Sequence, residues 1–190
     1  MTEPTAIVHA TFPSLELRIP DRAERIVEGI VVPWGETSFM TPDPRGERFT
    51  AGSLTRSVAE RGDRVKLFVT HDHDRAVGRA LAWDTEHRAG LWGRFRIAET
   101  PAGDEVLGEV AEGMLDAFSI GFRAIRAKRG ADGAREILEA ALHETSLCPT
   151  GAYDGARVLA MRTPTPARWT LPTMATMPTV NLTPLPPLVR

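Results

Sequence analysis

Three residues whose types together can break a peptide bond sit in or beside strand-like runs: Ser119, His71 and Glu144. A serine hydroxyl is a poor nucleophile at its free pKa and needs a base. A histidine can be that base, and gains from an acid that orients it and stabilises its charged form. Ser119 lies in Gly113-Met-Leu-Asp-Ala-Phe-Ser-Ile-Gly-Phe122, where Phe118, Ile120 and Phe122 alternate with Ala117, Ser119 and Gly121. That is the period of two of a β-strand, with one face large and apolar and the other small around a hydroxyl. The small face leaves room for another chain to approach Ser119, although it would also suit packing against a helix. His71 ends the apolar run 65–70, a common place for a side chain aimed into a site and equally for a structural histidine. Strict alternation after Arg135 puts Glu136, Leu138, Ala140, Leu142, Glu144 and Ser146 on one face. A carboxylate on so apolar a face needs a partner, either an arginine or an imidazole.

Two other chemistries compete. Thr70-His71-Asp72-His73-Asp74 resembles the strand-end histidine motif of metallo-β-lactamase-type hydrolases, which binds zinc. The aspartate and final histidine of that motif would fall at 75 and 76, which are Arg75 and Ala76, and His87 and His143 are too isolated to complete a site. Cys148, the single cysteine, is the other possible nucleophile, but a lone cysteine at a strand end is usually a small buried apolar residue.

The composition is that of an ordinary globular chain: 190 residues, 42% hydrophobic and 25% charged. A net charge of −2 gives no electrostatic case for nucleic acid. One cysteine excludes an intrachain disulfide and a thiolate zinc cluster. The start lacks signal-peptide order, and no apolar run approaches the roughly 18 residues of a membrane span. The expectation is a soluble protein of a reducing compartment.

The elements that must position these residues read in order. Residues 1–22 alternate weakly and suit a first strand, and 26–33 is a better strand ended by Pro33. Residues 34–48 read as a loop rich in turn formers, and 49–61 as a short helix with Ser53 as its N-cap and Leu54 and Val58 on one face. Residues 77–83 and 91–97 read as two strands around a turn at 85–90. Residues 101–113 form the clearest helix, with Pro101 at its start, Val106, Leu107 and Val110 facing inward, and Gly113 ending it. After the serine strand, a turn at 130–133 leads to a long strand at 135–147, and 152–162 forms a last helix or strand. From Thr163 onward, seven of the fifteen prolines interleave with threonine, which predicts an extended tail over 163–190. The pattern predicts a mainly β, barrel-like domain over 23–162.

Taken together, these segments resemble the prohead (capsid maturation) proteases of tailed bacteriophages, the HK97-like family. Gly29-Ile-Val-Val-Pro-Trp-Gly35 looks like the family's opening strand, and Glu47-Arg-Phe-Thr-Ala-Gly-Ser-Leu54 resembles the segment that follows. Leu67-Phe-Val-Thr-His71-Asp72 with Val77-Gly78 resembles the histidine motif and puts His71, not His73, at its histidine position. Gly90-Leu-Trp-Gly-Arg-Phe95 is similar to the strand after it. Gly113-Met-Leu115 with Phe118-Ser-Ile-Gly-Phe122 matches the serine motif at Ser119, and Leu142-His-Glu144-Thr-Ser146-Leu147 matches the first half of the last motif, at Glu144. Beyond it, Cys148-Pro-Thr-Gly-Ala-Tyr153 departs from the usual valine and proline-alanine ending.

The resemblance implies an α+β fold of mainly β type, an orthogonal β-barrel wrapped by a few helices as in the herpesvirus assemblins. It implies a serine endopeptidase with Ser119 as nucleophile, His71 as base and Glu144 as orienting acid, and no metal or organic cofactor. Its substrate would be the scaffolding (delta) segment of the major capsid protein or a separate scaffold, and also itself. It would act in the host cytoplasm inside the procapsid, as a homo-oligomer, with no nucleic-acid or membrane partner. Backbone N–H groups near the serine, or a loop carrying Arg123 or Arg126, are candidates for the oxyanion site. The tail would hold the enzyme in the procapsid or be removed by self-cleavage. The alternatives are a barrel without activity serving as a capsid assembly or scaffold protein, and a metal-dependent hydrolase using His71-Asp72-His73-Asp74.

Overall fold

A computed structural model describes residues 8–12, 24–153 and 157–162, which form nine strands and two helices. The strands are β1 (Val8–Phe12), β2 (Ile26–Pro33), β3 (Glu47–Phe49), β4 (Lys66–Val69), β5 (Asp72–Asp84), β6 (Gly90–Ile97), β7 (Ala117–Arg129), β8 (Arg135–Cys148) and β9 (Val158–Arg162). The helices are α1 (Thr55–Arg61) and α2 (Pro101–Ala111), with a single 3-10 turn at Gly62–Arg64.

All nine strands belong to one sheet in the order β1-β7-β8-β4-β5-β6-β2-β9, with β3 added to β8. The expected barrel is therefore corrected in one respect. Among the described residues no ladder joins β1 to β9, so the sheet is curled but not closed. Its two halves nevertheless meet through their apolar faces. Phe118 of β7 lies 5.4 Å, ring to ring, from Phe95 of β6, and its ring approaches Gly29 of β2 so closely that an added Cβ would sit 3.0 Å away. Val27, Val31, Leu67, Ile120, Ile137 and Leu142 fill the core between them.

Strand β8 is the spine of the half that carries the candidate residues. It pairs antiparallel with β7 on one side and parallel with β4 on the other, Ser146 lying opposite Ser119 and Phe68 respectively. Helix α2 begins as its sequence directs: Thr100 accepts a hydrogen bond from Gly103 N at 3.2 Å, and Pro101 occupies the first turn. Val106 and Leu107 are buried, and Gly113 (φ +71°) turns the chain into β7.

Three local expectations are corrected. The 49–61 helix starts only at Thr55, because Thr50 N is already bonded to Ile137 O and holds the preceding residues against β8. Ser53 does not cap it: Leu54 occupies that position without a side-chain bond, and the buried Ser53 Oγ has no partner among the described residues. The loop after β2 ends sooner than Arg48, since Glu47–Phe49 pair in parallel with β8. The last segment is a strand, β9, and the expectations for 163–190 lie outside the described residues.

Glu47 is only 1% exposed and is paired with Arg135 at 2.7 Å. Burial pushes its carboxyl above the usual range, with Arg135 opposing the shift. Arg135→Met is expected to destabilise the fold by about 3 kcal/mol at neutral pH, because it strands a buried charge. The folded state holds the Glu47 proton more tightly than the unfolded chain, so the deficit shrinks as pH falls. Urea unfolding at neutral and mildly acidic pH measures both effects, and a deficit that grows on acidification would contradict this account.

Candidate functional site

The site is built across three adjacent strands. Paired residues in a ladder share a face, so Ser119 and Gly121 on β7 face the same way as Ser146 and Glu144 on β8. This differs from the strict alternation read after Arg135. Phe122 pairs with Leu142 but the next residue, Gly121, pairs with Glu144, so His143 is an extra residue in β8. The bulge reverses the phase. Leu142 stays with Phe122 in the core, while Glu144 turns to the side of Ser119.

The Glu144 carboxylate is almost fully buried, its residue 2% exposed. Its Oε1 accepts from His71 Nδ1 at 2.7 Å and its Oε2 from Ser146 Oγ at 2.8 Å. Because a carboxylate accepts but does not donate, Nδ1 carries the ring proton and the lone pair of a neutral imidazole is left at Nε2. The carboxylate has this position only because residue 121 is glycine. A Cβ there would lie 2.7 Å from Glu144 Oε1.

His71 arrives by an unusual turn. Strands β4 and β5 are joined by Thr70 and His71 alone, both with positive φ (49° and 61°). That pair of angles belongs to tight type I′ hairpins, which favour asparagine and glycine. A β-branched threonine there is strained, at a cost of order 1–3 kcal/mol. Thr70 N donates to Leu147 O at 2.9 Å and His71 N to Ser146 Oγ at 3.2 Å, tying the turn to β8. Ser146 thus bonds both partners, a role the sequence reading did not give it. Its position two residues after Glu144 on a strand was the available signal.

The structure gives the competing residues other roles. Ser119 is buried (1% exposed), and its hydroxyl lies within hydrogen-bonding reach of the Cys148 sulfur. Burial, reinforced by the Glu144 charge, pushes the Cys148 thiol up to about 11, which suppresses the thiolate a cysteine nucleophile requires. In the His71-Asp72-His73-Asp74 stretch, His71 turns to Glu144, His73 stacks on Phe68 at 5.1 Å, and Asp72 accepts from Asp74 N at 3.0 Å. Among the described residues no three His, Cys, Asp or Glu side chains are placed to share a metal ion. His87 is used in the β5–β6 turn, its Nδ1 accepting from Ala89 N and its carbonyl from Trp34 Nε1, both at 3.2 Å. Burial and the nearby Arg61 and Arg123 hold His143 below the usual imidazole range. Arg123 and Arg126 lie within β7 rather than in a loop, and Arg126 is 3.8 Å from Glu139.

The departure in sequence after Cys148 does not disturb the strand. Tyr153 is buried and donates to Glu47 O at 2.9 Å, and Ser38 Oγ donates to Ala152 O, so the exit segment is fastened to β3 and the loop before it.

Comparison with known proteins finds two likenesses. The model of the caudovirus prohead serine protease family matches residues 13–166. The solved structure of the bacteriophage T4 capsid assembly protease is similar in fold, with a TM-score of 0.57 and 13% identity, covering 77% of this chain and 98% of that one. No curated protein matches the chain.

Two substitutions test the local account. Gly121→Ala forces the Glu144 carboxylate to shift and is expected to cost roughly 1–3 kcal/mol, the range for overpacking a filled site. An unchanged unfolding midpoint would show that the carboxylate has room to spare. Thr70→Asn, better suited to positive φ, is expected to stabilise the fold by about 1 kcal/mol in the same assay. A loss of stability would mean that threonine makes a compensating contact.

Proposed function

The chain belongs to the caudovirus prohead serine protease family, and we propose from that premise that Ser119, His71 and Glu144 are its catalytic triad. The observation that carries the reading is the 2.7 Å contact of His71 Nδ1 with the buried Glu144 carboxylate, on the sheet face that holds Ser119. Serine-protease chemistry then assigns the roles. His71 Nε2 takes the Ser119 proton as Oγ attacks the scissile carbonyl, and returns it to the leaving amine as the C–N bond breaks. Water activated by the same imidazole hydrolyses the resulting acyl-enzyme and regenerates Ser119. Glu144 keeps the ring in the productive tautomer and stabilises the imidazolium formed during each transfer.

The substrate in this reading is the scaffolding segment of the major capsid protein, or a separate scaffold protein, together with the enzyme's own chain. The reaction takes place inside the procapsid in the host cytoplasm. Residues 23–162 are the protease domain, 1–22 an N-terminal segment and 163–190 a tail open to self-cleavage. Family membership and the three residues in matching motif positions support this assignment.

Co-expression with the cognate major capsid protein tests the proposal. Intact-mass analysis is expected to find capsid protein shortened by the wild type but not by Ser119→Ala or His71→Ala, each expected to lose at least 10³-fold in rate. The same spectra are expected to show the wild-type protease trimmed near residue 163 and Ser119→Ala still ending at Arg190. Capsid protein left whole by the wild type would favour an assembly role without proteolysis. Cutting that survives Ser119→Ala would mean a different nucleophile.

A further inference from the structure

We propose that Ser146 is a positioning residue whose buried hydroxyl locks the Glu144 carboxylate and the His71 backbone together, fixing the imidazole in one tautomer and one orientation. The inference rests on the assignment of His71 as the base and adds a fourth residue to the machinery. Ser146 is 0% exposed, donates to Glu144 Oε2 at 2.8 Å and accepts from His71 N at 3.2 Å. A hydroxyl has one proton to give. With that proton committed to the carboxylate and a lone pair to the amide, the group cannot rotate without losing a buried hydrogen bond. Packing alone does not require it, because alanine would occupy nearly the same volume between Ser119 and Phe68.

The two bonds act on different loose ends. Glu144 has a second oxygen that His71 does not use, and without a donor there the carboxylate can turn about its own axis. His71 itself sits at φ +61° in a turn that its sequence disfavours, so its backbone is held by contacts rather than by propensity. The Ser146 hydroxyl restrains both at once.

Ser146→Ala removes one oxygen atom and is expected to fold with a lowered unfolding midpoint, because the buried Glu144 Oε2 and His71 N each lose their bond to Ser146. Its kcat on purified capsid protein is expected to fall on the order of 100-fold with KM unchanged, as for a misplaced catalytic group. Nitrogen NMR of the His71 ring is expected to report a single Nδ1-protonated tautomer in the wild type and a mixture in Ser146→Ala. Ser146→Thr, which keeps the hydroxyl, is expected to restore both the tautomer and most of the rate. An unchanged ring signal in Ser146→Ala overturns the proposal, as does a Thr variant that folds but is as slow as Ala. The ring measurement requires no substrate, so it decides the role of Ser146 even if the wild type cuts nothing and the protease reading fails.

Discussion

The buried carboxylate of Glu144 is the constraint on which the rest of this site depends. An ionised carboxyl taken almost wholly out of water is tolerated only if each oxygen finds a donor. Among the described residues the His71 imidazole and the Ser146 hydroxyl reach its two oxygens, at 2.7 and 2.8 Å. Satisfying that one group dictates a glycine at 121, a serine at 146 and a histidine brought in on a turn of unfavourable backbone geometry. Remove the carboxylate and none of these three choices has an evident reason.

The fold supplies what the carboxylate needs through β8. Pairing β8 antiparallel to β7 sets Ser119 opposite Ser146, and pairing it parallel to β4 delivers Thr70 and His71 beyond the same end. The sheet need not close for this. Its curl brings Phe118, beside the serine, into contact with the far half through Phe95, so the strand carrying Ser119 is anchored on its apolar face. Core packing and site geometry thus share β7, with large residues inward and small ones toward Glu144.

Much of this was legible in the sequence, for identifiable reasons. Pro33 marked the end of β2, alternation marked the start of β7, and Pro101 and Gly113 marked α2 almost to its ends. The three candidate residues were found by type and motif position. What stayed hidden depends on partners that a single strand does not reveal. The bulge at His143 turns Glu144 to the other face, and only the register against β7 shows it. Thr70 and His71 carry none of the glycine or asparagine that announces a tight hairpin, because the turn is imposed by contacts to β8. Ser53 does not start the helix, because a hydrogen bond from Thr50 to β8 outweighs a local capping preference.

The most direct test of the central claim is to map the adduct formed with a fluorophosphonate, which reacts only with a hydroxyl that a neighbouring base has activated. Peptide mass spectrometry of the labelled wild type should place the phosphonyl group on Ser119, and the same treatment of His71→Ala should leave that serine unmodified. Label on Cys148 or on another serine, or equal labelling of Ser119 with His71 removed, would contradict the claim that Glu144 and His71 together activate Ser119.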